Sequence, residues 1–262
     1  MFTLVALDSV GSTSDEVLRL AREGAPHGTV VTAREQTAGR GRAGRGWDSP
    51  PGNLYLSVLL RLDLPPRRIA ELSFVAALAV ADTVDAFPPA RATLKWPNDV
   101  LVGGAKIAGI LVEHAEGVAI VGMGVNVAHC PAGTAYRVTS LLQEAARAPQ
   151  DTVMPGLGPG IHVFAGGQKD VDTRIRGHDG SNLIGASRTT LLNALFRRLD
   201  TWLTHGFPAI RADWLVRAHA PGTPLRAGET DGTFATIDTD GALLLDTPNG
   251  RVRIVGGEVQ RR

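Results

Sequence analysis

A chain of 262 residues has room for one large domain, or one with a small appendage, and its 44% hydrophobic and 20% charged residues exclude a disordered or fibrous protein. Twenty-seven basic against 26 acidic side chains leave a net charge of +1, which argues against a nucleic acid or an anionic membrane as the main partner. Cys130 is the single cysteine, so an intrachain disulfide and a multi-cysteine zinc site are both excluded, a cytoplasmic home fits, and neither a secretion signal nor a run of about eighteen apolar residues is present.

The first predicted element is a helix over 13–24: Thr13 and Glu16 have capping-box spacing, Val17, Leu20 and Ala21 recur at helical intervals, and Gly24 stops it. Residues 29–32 and 54–60 are β-branched or apolar runs bounded by Gly and Pro, which predicts two strands bracketing a long Arg/Gly loop. Pro66 opens a broad apolar segment ending at Ala86, a predicted buried helix. Strands follow over 94–96, 100–102 and 107–113, the last two joined across Gly103-Gly104 as a hairpin, and 118–127 continues the sheet. Antiparallel hairpins with helices on one side predict an α+β domain.

After a helix over 140–148, residues 149–188 are rich in glycine, lack a sustained period and read as a flexible insert. His162 and His178 within it have no partners at ligand spacing and read as solvated loop residues; no metal site is expected. Helix resumes over 189–204 and again over 208–217. Short runs at 234–238, 242–246 and 251–255 then alternate with Asp231-Gly232, Asp240-Gly241 and Asn249-Gly250 turns, which predicts a small antiparallel barrel. A boundary near residue 217 divides the chain into domains 1–217 and 218–262.

Three motifs carry chemistry. In Gly39-Arg40-Gly41-Arg42-Ala43-Gly44-Arg45-Gly46-Trp47, guanidinium forks on a glycine-freed backbone suit a small polyanion, and the loop should be mobile when empty; no Gly-Lys-Ser/Thr closes it as a Walker A loop. In Lys95-Trp96-Pro97-Asn98-Asp99 followed by Lys106-Ile107-Ala108-Gly109, two of only three lysines in an arginine-rich chain fall together, and Gly109 leaves room for a close approach. Taken singly, these residues are a tight turn and surface charges; beside the Arg/Gly loop they suggest a site. Gly122-Met123-Gly124-Val125-Asn126-Val127 is no dinucleotide fingerprint, because Val127 stands where a third glycine is required and Pro131 where a helix should run. Small residues ending in Asn126 instead let a ligand approach the backbone.

The segments GSTS, REQTAGRGRAGRGW, KWPNDVLVGGAKIAGILVE and VGMGVNV, in this order and spacing, resemble a biotin protein ligase. The resemblance covers 1–148 and 189–262 and is to the monofunctional type, without a winged-helix segment ahead of the catalytic domain. It implies a class II tRNA synthetase-like mixed sheet with helices and an SH3-like C-terminal barrel. It also implies two steps: biotin and Mg-ATP form biotinoyl-AMP, and one lysine of a biotin carboxyl carrier protein, of acetyl-CoA carboxylase or a related carboxylase, takes the biotinyl group. The protein would be a monomer or homodimer.

By the same resemblance, Ser12, Thr13 and Gln36 hold the ureido ring, with Ser14, Gly39, Arg40, Lys106 and Gly109 completing the biotin site. Arg40, Gly41, Arg42, Arg45, Trp47, Asn98, Lys106 and Asn126 take the nucleotide, Trp47 by stacking on adenine. Lys106, Arg42 and Asp99 are the catalytic candidates: Lys106 between the biotin carboxylate and the α-phosphate, Asp99 orienting the incoming lysine or taking its proton, with capping of its turn the alternative for Asp99. Ser14 stands where the commoner motif has Asn. A lipoate or other acyl ligase of the same architecture, and an RG-type RNA-binding module, are the alternatives.

Overall fold

The computed structural model describes residues 2–147 and 179–261. The first part of the chain folds as β1 (Thr3–Val10), α1 (Thr13–Arg22), β2 (Thr29–Gln36), β3 (Leu54–Leu60), α2 (Pro66–Ile69), α3 (Leu72–Asp85), β4 (Ala92–Lys95), β5 (Asp99–Val102), β6 (Ala105–Ala115), β7 (Val118–Val125) and α4 (Leu141–Ala146). A long helical run, α5 (Asp179–Arg217), leads to β8 (Pro224–Ala227), β9 (Thr230–Ile237), β10 (Leu243–Thr247), β11 (Gly250–Ile254) and β12 (Val259–Arg261). Seven strands form one mixed sheet in the order β1-β2-β3-β7-β6-β5-β4, parallel only between β1 and β2. That single parallel pair needs a crossover, which α1 supplies.

Helices cover both faces, where the sequence predicts one side only. On one face Leu54, Leu56, Val58 and Leu60 of β3 pack with α3 and α5 in the main core. On the other, Val17 of α1 packs on Val31, Leu59, Val118 and Ile120. Period-two alternation makes the division: β3 is buried along its whole length, and each successive residue serves the opposite face. Helix α3 is apolar around nearly its full circumference because it lies between the sheet and α5.

Several boundaries differ from the sequence reading. β1, an exposed edge strand, was not among the predicted elements. The 66–86 helix is two helices, α2 and α3. α5 begins at Asp179, ten residues before the predicted 189, and is broken at Gly206, whose φ of 73° precedes Pro208 at the start of the second piece. Residues 149–178, with His162, Lys169 and His178, lie outside the described residues.

The C-terminal strands form a five-stranded antiparallel sheet in the order β11-β10-β9-β8-β12; among the described residues no pairing closes β11 onto β12 into the predicted barrel. The Asp231-Gly232 turn is also corrected. The reversal falls at Gly228 (φ 59°), between paired Ala227 and Thr230, whereas Gly232 lies inside β9, where an added Cβ would stand 2.7 Å from the Asp246 carbonyl oxygen. The sheet docks on the preceding part of the chain through Trp96 Nε1 of the β4–β5 turn, which donates to Gly241 O (2.9 Å), and Arg211 Nε of α5, which donates to Ile237 O (2.6 Å).

Candidate functional site

The cleft lies on the α1 face of the sheet, beyond the point where that helix stops covering it. Two rows of register neighbours form its floor: Ser57, Gly122 and Leu111 across β3, β7 and β6, then Gly124 and Gly109 across β7 and β6, a row that Tyr55 of β3 and Asp99 of β5 flank outside the cavity. Alternation brings Gly109, Gly122 and Gly124 to this face, and the missing side chains leave the space. An added Cβ at Gly124 would stand 2.5 Å from Trp47 Nε1, and one at Gly109 would stand 2.9 Å from Trp47 Cζ3, so the indole lies directly on the two glycines.

The N-terminal turn of α1 closes one end. Thr13 does not serve as the predicted capping-box residue: Ser12 is the N-cap without a side-chain bond, and Glu16 bonds Arg19. Thr13 turns into the cleft, where its N (2.9 Å) and Oγ1 (3.1 Å) both donate to Gln36 Oε1. Ser57 Oγ, from the middle of β3, lies 2.8 Å from Thr13 Oγ1 and 3.0 Å from Ser14 Oγ. Ser12, Thr13, Ser14 and Ser57 are all buried, so this end is polar and shielded from bulk solvent.

The opposite wall is cationic. Lys106 Nζ pairs with Asp99 Oδ1 at 2.6 Å, lies 5.2 Å from the centroid of the Trp47 ring and 5.4 Å from that of Tyr136, and is 14% exposed. Lys95 Nζ reaches the other oxygen of Asp99 at 3.6 Å. One edge of Lys106 pairs with Leu101 of β5, and because β7 ends opposite Ala108 the other edge bonds Arg137 O (2.8 Å) and receives Thr139 N (2.9 Å), which fixes the lysine from both sides.

Side chains at several points tie the Arg/Gly loop down. Arg40 bonds Asp15 and Glu113, Arg42 Nη1 donates to Asn98 Oδ1 and Gly257 O (3.4 Å each), and Arg45 pairs with Glu258. Burial first, then the charge of Arg45, hold the Arg42 guanidinium below its ordinary pKa; it remains charged at any physiological pH. Burial, then the charge of Asp99, push the Tyr136 phenol up.

Of the residues chosen from sequence, Ser12, Thr13, Ser14, Gln36, Arg40, Gly41, Arg42, Arg45, Trp47, Asn98, Lys106 and Gly109 line this one cavity. Asp99 stands beside it through Lys106. Gly39 is outside, where an added Cβ would meet Trp47 O at 2.5 Å. Asn126 is also outside, buried, its Nδ2 donating to Thr139 O at 3.0 Å. The sequence reading missed Ser57, Tyr136 and the contribution of Gly257 and Glu258 from the C-terminal strands. Ser57 carried a signal, the one polar residue in the run LYLSVLL; Tyr136, in a loop without pattern, carried none.

Fold and cleft together define an α+β ligand-binding domain with one buried polar end and one cationic wall, followed by a β module that reaches back to its loop. A profile described as the Biotin/lipoate A/B protein ligase family matches residues 7–129, and one described as the Biotin protein ligase C terminal domain matches 224–262. The biotin–[acetyl-CoA-carboxylase] ligase of Paracoccus denitrificans is 39% identical over 95% of this chain and 96% of its own length, and that of Mycobacterium tuberculosis 36% over 95% and 85%. The solved biotin protein ligase of Aquifex aeolicus, in complex with biotin and ATP, superposes with a TM-score of 0.73 at 25% identity and full coverage of both chains. The chain belongs to the biotin protein ligase family.

Proposed function

We propose that the protein joins biotin to ATP and passes the biotinyl group to one lysine of a biotin carboxyl carrier protein, that of acetyl-CoA carboxylase or a related carboxylase. The observation that carries this reading is the polarity of one cleft: a Ser/Thr/Gln end suited to a small ring of amide type, and across a glycine floor a lysine and three arginines suited to a carboxylate meeting a triphosphate. Full-length relatives bearing that activity in their names support it.

A biotin carboxylate oxygen attacks the α-phosphorus of Mg-ATP and pyrophosphate leaves; the deprotonated ε-amine of the carrier lysine then attacks the acyl carbon and AMP leaves. Two anions repel as they meet, and a fixed ammonium at their junction offsets that repulsion without reorganising. Lys106 fills this role, preset by Asp99, which in the second step orients the carrier lysine or takes its proton. Ser12, Thr13 and Gln36 hold the ureido ring with Ser14 beside them, and Gly109 leaves room at the Lys106 end of the biotin site. Arg40, Gly41, Arg42 and Arg45 enclose the phosphates, with Asn98 setting Arg42. Gly39 shapes the biotin side from behind the cavity, against Gln36, Ser49 and Trp47, and Asn126 shapes the nucleotide side. The Trp47 indole N–H, buried without a partner among the described residues, is a donor that an acceptor on the nucleotide would satisfy.

The reading carries with it a class II synthetase-like layout for 1–217, an SH3-like layout for 218–262, a cytoplasmic monomer or homodimer, and no nucleic-acid partner. No helix among the described residues is long and apolar enough to cross a membrane. Incubation with biotin, Mg-ATP and a purified carrier domain should add one biotin at one lysine, only when ATP is present. An unlabelled carrier would overturn the assignment.

A further inference from the structure

Five side-chain hydrogen bonds run without a break from the floor of the cleft to the loop that covers it. Ser14 Oγ meets Ser57 Oγ at 3.0 Å, Ser57 Oγ meets Thr13 Oγ1 at 2.8 Å, and Thr13 Oγ1 donates to Gln36 Oε1 at 3.1 Å. Gln36 Nε2 then donates to Ser49 Oγ at 2.9 Å, and Ser49 Oγ donates to Trp47 O at 2.9 Å.

The direction of every bond is forced. Thr13 N can only donate, so the oxygen of the Gln36 amide faces Thr13 and its nitrogen faces Ser49. The one hydroxyl proton of Thr13 goes to Gln36, so Ser57 must donate to Thr13 and Ser14 to Ser57. Ser49, which receives the amide, passes its own proton to the carbonyl of Trp47. All five donors point the same way, from the ureido end toward the loop.

Ser49 is 4% exposed and does not line the cavity, so it touches neither ligand. A second observation isolates the same joint. An added Cβ at Gly39 would stand 2.5 Å from Trp47 O, 2.7 Å from Ser49 Oγ and 3.0 Å from Gln36 Nε2, the three groups that meet there. Gly39 is therefore required by the closing of this joint, quite apart from any approach of a ligand to its backbone.

We propose that Ser49 is a positioning residue, the joint through which a ligand at Ser12–Ser14 and Gln36 sets the Trp47 end of the Arg/Gly loop. This rests on the biotin reading given above. A ligand that bonds Thr13 or Gln36 fixes the Gln36 amide, the amide fixes the Ser49 rotamer, and Ser49 holds the loop backbone through the Trp47 carbonyl. Filling the polar end thus stabilises the closed loop before nucleotide arrives. Without the hydroxyl, biotin binds but its presence is not transmitted.

The test uses the full chain. Biotin binding is measured by calorimetry, and the rate of tryptic cleavage after Arg40, Arg42 and Arg45 is measured with and without saturating biotin. Wild type should bind biotin and be cut about 10-fold more slowly when it is bound, a protection of the size one or two hydrogen bonds supply. Ser49→Ala should still bind biotin, weakened by no more than about 10-fold because the coupling it loses is reciprocal, and lose that protection. Ser49→Thr, which keeps the hydroxyl, should recover it. Ser49→Cys, nearly isosteric and a poor donor, should behave as Ser49→Ala and serves if the alanine variant folds badly. Full protection by biotin in Ser49→Ala or Ser49→Cys would overturn the joint while leaving the biotin reading intact. A wild type that binds no biotin would instead overturn the reading itself.

Discussion

The two faces of the central strands are built from one stretch of chain and do opposite things. Along β3 and β7, Val58, Leu60, Val121 and Val125 belong to the core shared with α3 and α5, while Ser57, Gly122 and Gly124, which alternate with such positions, face α1 and make a cleft. Strand propensity and register are common to both faces; only the alternate side chains differ. The comparison teaches that stability and activity are separable here residue by residue, within a single strand.

The sharpest way to break that comparison is on the cleft side. Lys106→Ala should slow adenylate formation by about 10²–10³-fold, the loss seen when one preset group is removed from a developing charge, with the melting temperature little changed. Transfer from supplied biotinoyl-AMP should fall less. Equal losses in both half-reactions would move Lys106 to a role in shared binding.

On the core side the pattern inverts. Leu60→Ala, at a fully buried position, should cost about 2–5 kcal/mol in denaturant unfolding, while kcat of the folded fraction at 25 °C stays within twofold. A fall in kcat larger than the loss of folded protein would mean that the two faces are mechanically coupled.

Gly124→Ala tests the floor directly. Its Cβ takes the place of Trp47 Nε1, so the indole must lift, and activity should fall by about 10²-fold with unfolding nearly unaffected. A smaller change is expected from Arg42→Gly, which removes a charged contact to Asn98 and Gly257. The adenylate should escape about 10-fold faster and label added albumin, which wild type does not do. Retention equal to wild type would transfer the latch to Arg40 or Trp47.

The smallest effect lies away from both faces, at the junction with the C-terminal sheet. His219 Nε2 is buried without a partner among the described residues, and burial, then Arg261 and Lys95, hold the imidazole below its ordinary value. The unfolded chain therefore takes up the proton first as pH falls, so stability is complete above the unfolded value of about 6.5 and declines below it. Thermal melts from about pH 7 down to about pH 5 should show this slope, and His219→Gln should flatten it.

How much of this was legible depended on whether local pattern or tertiary placement decided the residue. The hairpin across Gly103-Gly104 and the helix capped by Ser140 were readable because their chemistry is local; both glycines have positive φ, and Ser140 Oγ accepts from Gln143 N. The Arg/Gly loop and the two lysines were readable because charge and glycine stand out at any distance. β1 was not, since an exposed edge strand shows little of the burial pattern that marks the others. Thr13 looked like a helix cap because sequence spacing cannot show Gln36, 23 residues away, competing for its hydroxyl. Arg40 looked free for a ligand for the same reason, and its partners Asp15 and Glu113 arrive from α1 and β6.

The central claim is that this cleft activates biotin, and pyrophosphate release measures that act alone. With Mg-ATP present and biotin, lipoate and octanoate offered in parallel, the account predicts release with biotin only, a single burst that stops when each site holds its adenylate and resumes on addition of a carrier domain. Release with lipoate or octanoate but not with biotin would contradict it, as would none with any of the three.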